Sequence, residues 1–226
     1  MRQIAVVVPA HDESLLLPGC LAALRAAAAG AAPLPVRLIV VADACTDDTT
    51  LVAAAGGAEV VTITERNVGR ARAAGVAYAM SAVTGPVWLA TTDADSRVRP
   101  GWLRWQLAHA RRGAALVAGT VEVDDWSAWP GPMPSRYERR YRELVAGVRH
   151  GHIHGANLGF TAGAYVAAGG FPALRCDEDR ELVARVRASG GRVVTDATCP
   201  VRTSGRPDGR APNGFAAHLL SLAAEN

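Results

Sequence analysis

Apolar residues open the chain in short unbroken runs: Ile4–Pro9, Arg37–Ala42, Glu59–Thr64 and Val87–Thr91 are each of strand length and rich in β-branched side chains. Continuous runs, rather than alternating ones, belong to strands buried on both faces. Between them lie Leu15–Ala29, a short segment ending at Ala55, and Asn67–Met80, all rich in helix formers. Thr46-Asp47-Asp48 supplies N-cap chemistry for the short helix. Strand and helix in alternation predict an α/β fold with a Rossmann-like, mostly parallel sheet flanked by helices.

Beyond residue 96 the pattern loosens. Pro100–Arg112 reads as a helix, Ala115–Val123 as a strand, Tyr137–Val148 as a helix with a solvated Arg/Glu face, and Ile153–Phe160 as a strand. Ala162–Ala168 and Asp179–Ser189 read as helices, and Val193–Asp196 as a last short strand. Asp124–Ser135, with two Trp and three Pro, reads as a loop, and Thr203–Asn213, rich in Gly, Pro and Arg, as a mobile tail.

Half of the 226 residues are apolar, enough to bury a sizeable core in one large domain. The net charge of +3 is too mild to argue for nucleic acid as a partner. All 24 basic residues are Arg, which excludes a Schiff-base, phosphate-loop or kinase-type lysine. Cys20, Cys45, Cys176 and Cys199 lie far apart, without zinc or disulfide spacing, and read as free thiols. The first apolar run is too short for a signal peptide, and Leu15–Ala29 carries Arg25 and falls short of a span. A cytoplasmic protein is expected, with room for peripheral contact at the inner face of the membrane and for a homodimer.

In an open parallel sheet, ligands bind beyond the carboxyl ends of the strands. Three such ends carry acids: Asp12-Glu13, Asp43 with Asp47-Asp48, and Asp93-Ala94-Asp95. Carboxylates on one rim repel one another, and a divalent cation or N–H donors would relieve this. Asp93-x-Asp95 at a strand end suits a hard cation such as Mg²⁺ or Mn²⁺, which recruits substrate phosphates; its bland alternative is a pair of solvated turn carboxylates. Asp12 and Glu13 read equally as a helix-start signal. Asp43 offers acceptors to the edge of a uracil or guanine. Asn67 to Gly75 opens a helix with Arg70 and Arg72, groups suited to anions. Glu178-Asp179 is either a helix cap or the source of a general base that takes an acceptor hydroxyl's proton.

Taken in order, Val6-Val7-Val8-Pro9-Ala10-His11-Asp12-Glu13, Asp43-Ala44-Cys45-Thr46-Asp47, Asn67-x-Gly69 with Ala71-Arg72 and Gly75, Asp93-Ala94-Asp95, Gly155-Ala156-Asn157, Gly169-Gly170-Phe171 and Glu178-Asp179 resemble the family-2 glycosyltransferases of the GT-A fold over about residues 3–200. The resemblance implies inverting transfer of a sugar from a UDP- or GDP-linked donor to an unidentified hydroxyl acceptor, with Mg²⁺ or Mn²⁺. It implies one GT-A domain over residues 1–200, with a donor-binding half (1–96), an acceptor-binding half (97–200) and a partly flexible tail (201–226). Pro9, His11 and Glu13 would line the nucleoside pocket, Asp43 would contact the base, and Arg72 the base or phosphates. Asp93 and Ala94 would face the ribose or donor sugar, Asp95 the metal, and Asp179 would be the base. Gly155, Ala156 and Asn157, with His154 and Glu178, would form the acceptor site.

The chain departs from the family's pattern at Ala42, where an acid is common, and at Ala44-Cys45, where a Gly-Ser turn is common. The tail Thr203-Ser204-Gly205-Arg206 resembles a phosphate-contacting loop of some relatives but lacks their metal-ligating His, leaving His218 as the substitute. His150, His152 and His154 share one face of an extended segment and suit either zinc or substrate. Trp126 and Trp129 suit a sugar face or packing beneath their loop. Arg136, Arg139, Arg140, Arg142 and Arg149 suit anionic lipid or a solvated helix face. Two competing readings are a sugar nucleotidyltransferase, which the acidic loop after the first strand disfavours, and a catalytically silent donor-binding subunit.

Overall fold

A computed structural model of the chain describes residues 1–81, 85–129, 131–210 and 214–224. Four parallel strands, β1 (Gln3–Ala10), β2 (Val36–Asp43), β3 (Glu59–Ile63) and β4 (Val87–Thr91), alternate with helices α1 (Leu17–Gly30), α2 (Thr49–Ala55) and α3 (Val68–Ser81). There follow β5 (Ser96–Arg97), α4 (Trp102–Arg111), β6 (Leu116–Ala118), β7 (Val121–Val123), α5 (Met133–Glu143) and the hairpin of β8 (Val145–Ala146) and β9 (Arg149–His150). The chain closes with β10 (Leu158–Thr161), α6 (Ala162–Ala167), α7 (Glu178–Ala188), β11 (Val193–Thr195), β12 (Val201–Thr203) and α8 (Phe215–Ala224).

The main sheet has the order β11-β6-β10-β4-β1-β2-β3, with β10 antiparallel to both of its neighbours. The chain runs outward from β1 through β2 to β3, then returns to the other side of β1 as β4. The strand order reverses there, and the crevice beyond the carboxyl ends of β1 and β4 is the natural ligand position.

Alternate residues of β1 feed two cores. Ile4, Val6 and Val8 pack with Leu17, Leu21 and Leu24 of α1 and Trp102 and Leu103 of α4. Ala5 and Val7 pack with Val76 and Ala79 of α3 and Leu182, Val183 and Val186 of α7. Because both faces are covered, the strand reads as one apolar run. Gly75 lets α3 lie against the sheet: a Cβ there would collide with the Val7 side chain. A third cluster joins Trp129, Met133 and Tyr137 to Leu219 and Leu222, so α8 docks on α5 and both tryptophans serve packing, Trp126 lying against Tyr137 at 5.4 Å.

The first half matches the sequence-based elements closely; the second half corrects several. Ala115–Val123 is not one strand, because Gly119 and Thr120 turn the chain between β6 in the main sheet and β7 in a small sheet with β12 and β5. The helix expected to reach Val148 stops at Glu143, and the β8–β9 hairpin follows. The strand expected from Ile153 begins only at Leu158, after a 3-10 turn over Gly155–Asn157. Within the expected tail, Thr203 belongs to β12 and Phe215–Ala224 is helical. Residues 211–213 and 225–226 of that tail, like Pro130 of the Trp/Pro loop, lie outside the described residues. Among the described residues no helix is long and apolar enough to cross a membrane.

Candidate active site

The carboxyl ends of β1, β2 and β4 open into a cleft of about 760 Å³, large enough for a nucleotide-sized ligand. Its lining includes Pro9, His11, Glu13, Asp43, Arg72, Asp93, Ala94 and Asp95 on one side and His154, Gly155, Ala156, Glu178 and Asp179 on the other. Residues far apart in sequence meet there because the strand ends converge at the order reversal.

The acids of the rim divide into two sets. Asp12, at φ +51°, turns away and accepts Thr46 N–H at 2.6 Å, and Asp47 accepts Ser14 N–H at 3.0 Å and Thr49 N–H at 2.9 Å. Together they tie the loops after β1 and β2 to each other, and hydrogen bonds, the Thr46 N–H first for Asp12 and the Thr49 hydroxyl first for Asp47, hold both carboxyls below the ordinary range. Asp43 accepts three backbone N–H groups, from Glu65 and Arg66 (2.7 and 2.8 Å) and Asn67 (2.7 Å). Most of its acceptor capacity goes to shaping that loop, which leaves little for a base. His11 lies against the same strand end and donates from Nδ1 to Asp43 O at 2.6 Å. Ala44 takes φ +51°, a region that favours glycine, at the position where the Gly-Ser turn is missing.

Glu13, Asp93 and Asp95 form the second set and face the cleft. Arg206, between β12 and α8, pairs with both Glu13 oxygens and approaches Asp95 Oδ2 at 3.2 Å. Thr203 Oγ1 lies 3.5 Å from Asp95 Oδ1. Burial, then the charge of Asp93, push Asp95 up to about 7 even though Arg206 opposes the shift. The rim is therefore still short of positive charge with the arginine in place, and its donors are hard carboxylate oxygens. These donors would suit a divalent cation.

Arg72 is not available to a phosphate. Its side chain is 4% exposed, and it bridges Asp93 Oδ1 at 2.5 Å and buried Glu178 in a close ion pair. A side chain at Gly155 would strike its guanidinium, so that glycine is required by close approach. Glu178, expected among the acceptor contacts, is turned onto Arg72. Asn157, expected in the acceptor floor, sits behind it. Its Nδ2 donates to Thr120 O (2.8 Å) and Cys199 O (3.0 Å), and its Oδ1 accepts Trp102 Nε1–H at 2.8 Å. These bonds explain why the residue is Asn, and they leave Gly155 and Ala156 as the floor.

Asp179, in the first turn of α7, accepts Gly155 N–H at 2.6 Å and Arg180 N–H at 2.7 Å, one on each oxygen. Burial raises its pKa, and Arg72 limits the rise. Each oxygen keeps a lone pair, so the group can still take a proton. In the same cleft, Tyr141 and His152 stack at 3.6 Å between ring centroids, and the Tyr141 hydroxyl lies 3.0 Å from His154 Nε2. Burial lowers His154 to about 3, keeping it neutral. The three imidazoles do lie side by side, but their bonded nitrogens reach different partners: Ala118 O, Tyr141 O and the Tyr141 hydroxyl. The group of possible metal ligands found among the described residues is instead Asp12, Cys45 and Asp47, whose carboxylates already hold backbone N–H groups.

Sequence reasoning gave no weight to Tyr141 or Arg180, and weighed His152 only together with His150 and His154. Arg206 was legible only as part of the Thr203–Arg206 likeness, and its pairing with Glu13, 193 positions earlier, has no sequence signal.

Residues 5–167 match the family model for glycosyl transferase family 2. Uncharacterized glycosyltransferase Rv0539 of Mycobacterium tuberculosis and its counterpart Mb0553 of Mycobacterium bovis are each 31% identical over 211 residues, covering 90% of this chain and 88% of theirs. Among solved structures, S. aureus TarS 1-349 in complex with UDP-GlcNAc superposes with a TM-score of 0.68 at 14% identity, covering 98% of this chain and 65% of that one. Glucosyl-3-phosphoglycerate synthase from Mycobacterium tuberculosis, in complex with Mn²⁺, UDP and phosphoglyceric acid, superposes at 0.58 and 20% identity, covering 99% and 79%.

Proposed function

The chain belongs to glycosyl transferase family 2 and has a GT-A-type fold, and from that premise we propose that it transfers a sugar, with inversion, from a nucleoside-diphosphate sugar to an acceptor hydroxyl. The observation that carries this reading is the pairing, across one cleft, of a cation-seeking acidic rim (Glu13, Asp93, Asp95) with a buried carboxylate of raised pKa (Asp179). The solved neighbours bound to UDP, UDP-GlcNAc and Mn²⁺ support a uridine donor and a divalent ion.

In this reading the nucleoside lies against Pro9, His11 and the loop that Asp43 shapes. Asp95, with Asp93 and Glu13 beside it, would hold Mg²⁺ or Mn²⁺, which supplies positive charge to the departing diphosphate. Arg206 holds the same carboxylates and offers a second cation to that leaving group. Asp179 takes the proton of the acceptor hydroxyl as its oxygen forms the new bond to the anomeric carbon. The bond from that carbon to the diphosphate oxygen breaks, and the electron pair leaves with the phosphate. Arg72 acts one step back: it holds Asp93 and Glu178 and limits the pKa of Asp179. The acidic loop after β1 stays unfavourable to a nucleoside triphosphate, which argues against a nucleotidyltransferase.

The test is calorimetric titration with UDP and UDP-sugars, with Mn²⁺ and with chelator, followed by assay for free UDP. Metal-dependent binding and UDP release are expected. Tight binding that ignores chelator removes the metal from the reading, and pyrophosphate release from UTP and a sugar phosphate replaces it with the nucleotidyltransferase.

A further inference from the structure

Val87 and Leu89 of β4 belong to the core that α3 and α7 cover, and strand alternation carries Thr91 to the same face. Thr91 is fully buried. A hydroxyl in such a place is costly unless it finds a partner, and a valine of the same shape would pack there without that demand. The partner is the Gly155 carbonyl, which accepts the Thr91 hydroxyl at 2.7 Å. Thr91 stands opposite Leu158 in the β4–β10 ladder, so this bond ties the end of β4 to the 3-10 turn that leads into β10.

The same glycine carries the N–H that Asp179 Oδ2 accepts at 2.6 Å. Among the described residues it is the one hydrogen-bond donor that reaches Asp179 from outside α7, since the other, Arg180 N–H, is its neighbour in that helix. The far end of the turn has its own anchors. Asn157 N–H donates to His154 O at 2.9 Å, and the Asn157 side chain is held by Thr120 O and Cys199 O. Gly155 has no side chain to fix it, because one would strike the Arg72 guanidinium. Glycine is also the residue with the greatest backbone freedom, so a glycine that must hold a carboxylate in place needs an outside anchor.

We propose that Thr91 is a positioning residue for the general base: its hydroxyl pins the Gly155 carbonyl, which keeps the Gly155 N–H on Asp179 Oδ2 and so fixes the carboxylate that takes the acceptor's proton. The inference rests on the sugar-transfer reading and adds to it a residue outside the lining of the cleft. Without the hydroxyl the turn loosens and the charged carboxylate loses a donor, so Asp179 should give up its proton at a higher pH. The charged groups that face Asp179 are Arg72 from α3, Asp93 beyond β4, and Glu178 and Arg180 beside it on α7. His154, just before Gly155, is kept neutral by burial, and α6 and β11, which also pack on α7, carry no charged side chain. The Thr91 hydroxyl bonds to none of these groups.

The experiment compares the full wild-type chain with Thr91→Val, Thr91→Ser and Thr91→Cys. The Asp179 carboxyl is titrated by carbon-13 NMR, its signal identified by its loss in Asp179→Asn. UDP and Mn²⁺ affinities are measured by calorimetry. UDP release from UDP-GlcNAc and UDP-glucose, with water in the acceptor's place, is followed against pH. In Thr91→Val the Asp179 midpoint is expected to rise by about one pH unit, the acid limb of UDP release to move with it, and the plateau rate to fall about tenfold, with UDP and Mn²⁺ affinities unchanged. Thr91→Ser, which keeps the hydroxyl, should restore both midpoint and rate. If Thr91→Val does not fold, Thr91→Cys takes its place, with a smaller shift in the same direction because a thiol is a weak donor. An Asp179 midpoint unmoved in the folded variant overturns the proposal, and so does a Thr91→Ser chain as impaired as Thr91→Val, since packing rather than the hydroxyl would then be at work. Release of no UDP by wild type from either donor counts against the sugar-transfer reading, while the carboxyl titration still decides whether Thr91 holds Asp179.

Discussion

At the strand ends of β1 and β4, acids are buried beside Arg206; at the wall formed by α5 and the segment before the Gly155 turn, imidazoles are buried near Arg180. The first side keeps carboxylates where water is scarce, so Asp95 holds its proton up to about 7. The second keeps bases in equal shelter, so His154 stays unprotonated down to about 3. Burial penalises the charged form in both cases, and the shifts run in opposite directions because one group is an acid and the other a base. Burial thus keeps an acid protonated on one side of the cleft and a base unprotonated on the other.

The sharpest way to break the comparison is at the carboxylate between the two sides. Asp179→Asn is expected to lower kcat by about three orders of magnitude, within the range for a general base, while UDP and Mn²⁺ still bind. Loss of binding together with turnover would show that Asp179 belongs to the donor side instead. Next comes the link across the cleft. Arg72→Met leaves Glu178 buried without its partner, and breaking such a pair costs about 3 to 5 kcal/mol, to be read by urea unfolding. An unchanged unfolding midpoint would mean that the two sides are not joined through this residue.

pH offers a gentler test with opposite signs on the two sides. The folded pKa of Asp95 lies above its ordinary 3.8, so its contribution to stability is complete below 3.8 and is lost as pH rises through 7. The folded pKa of His154 lies below 6.5, so its contribution is present above 6.5 and is lost as pH falls toward 3. In chelator, between about pH 3.8 and 6.5, Asp95→Asn should remove a fall in stability with rising pH and His154→Gln a rise, so the two variants tilt the stability–pH curve in opposite directions. If both tilt it the same way, the assignment of charge to the two sides is wrong. The smallest effect concerns Arg206. Because it holds the carboxylates a cation needs, Arg206→Gln should tighten Mn²⁺ binding in the absence of nucleotide about tenfold, or about 1.4 kcal/mol, read by the loss of the free Mn²⁺ resonance signal. Weaker Mn²⁺ binding in this variant would show that the guanidinium supports the ion rather than holding its place.

The first half was readable because its elements are local. β1, β2 and β4 are apolar runs whose ends coincide with the acids they carry, so locating each strand located its carboxylate. What those acids face was not readable: Asp12, Asp43 and Asp93 look alike in sequence, yet two of them hold loops and one pairs with Arg72. The second half was harder because its strands are two to four residues long and change sheets within a few positions, too short to show a period. Asn157 shows the same limit: its motif pointed to substrate, and only the packing revealed Trp102, Thr120 and Cys199 around it.

Hydrophobic runs and acid positions by themselves determined a helix-covered, mostly parallel sheet and the edge at which the acids collect. Tertiary structure alone decided that Arg206 meets Glu13, that Arg72 meets Glu178, and that a stack of rings lines the same cleft as Asp179. The physical reason is range. Backbone preference and apolar periodicity act over a few residues and leave their mark in the local sequence, whereas an ion pair between groups 106 or 193 positions apart is set by where the folded chain brings them together.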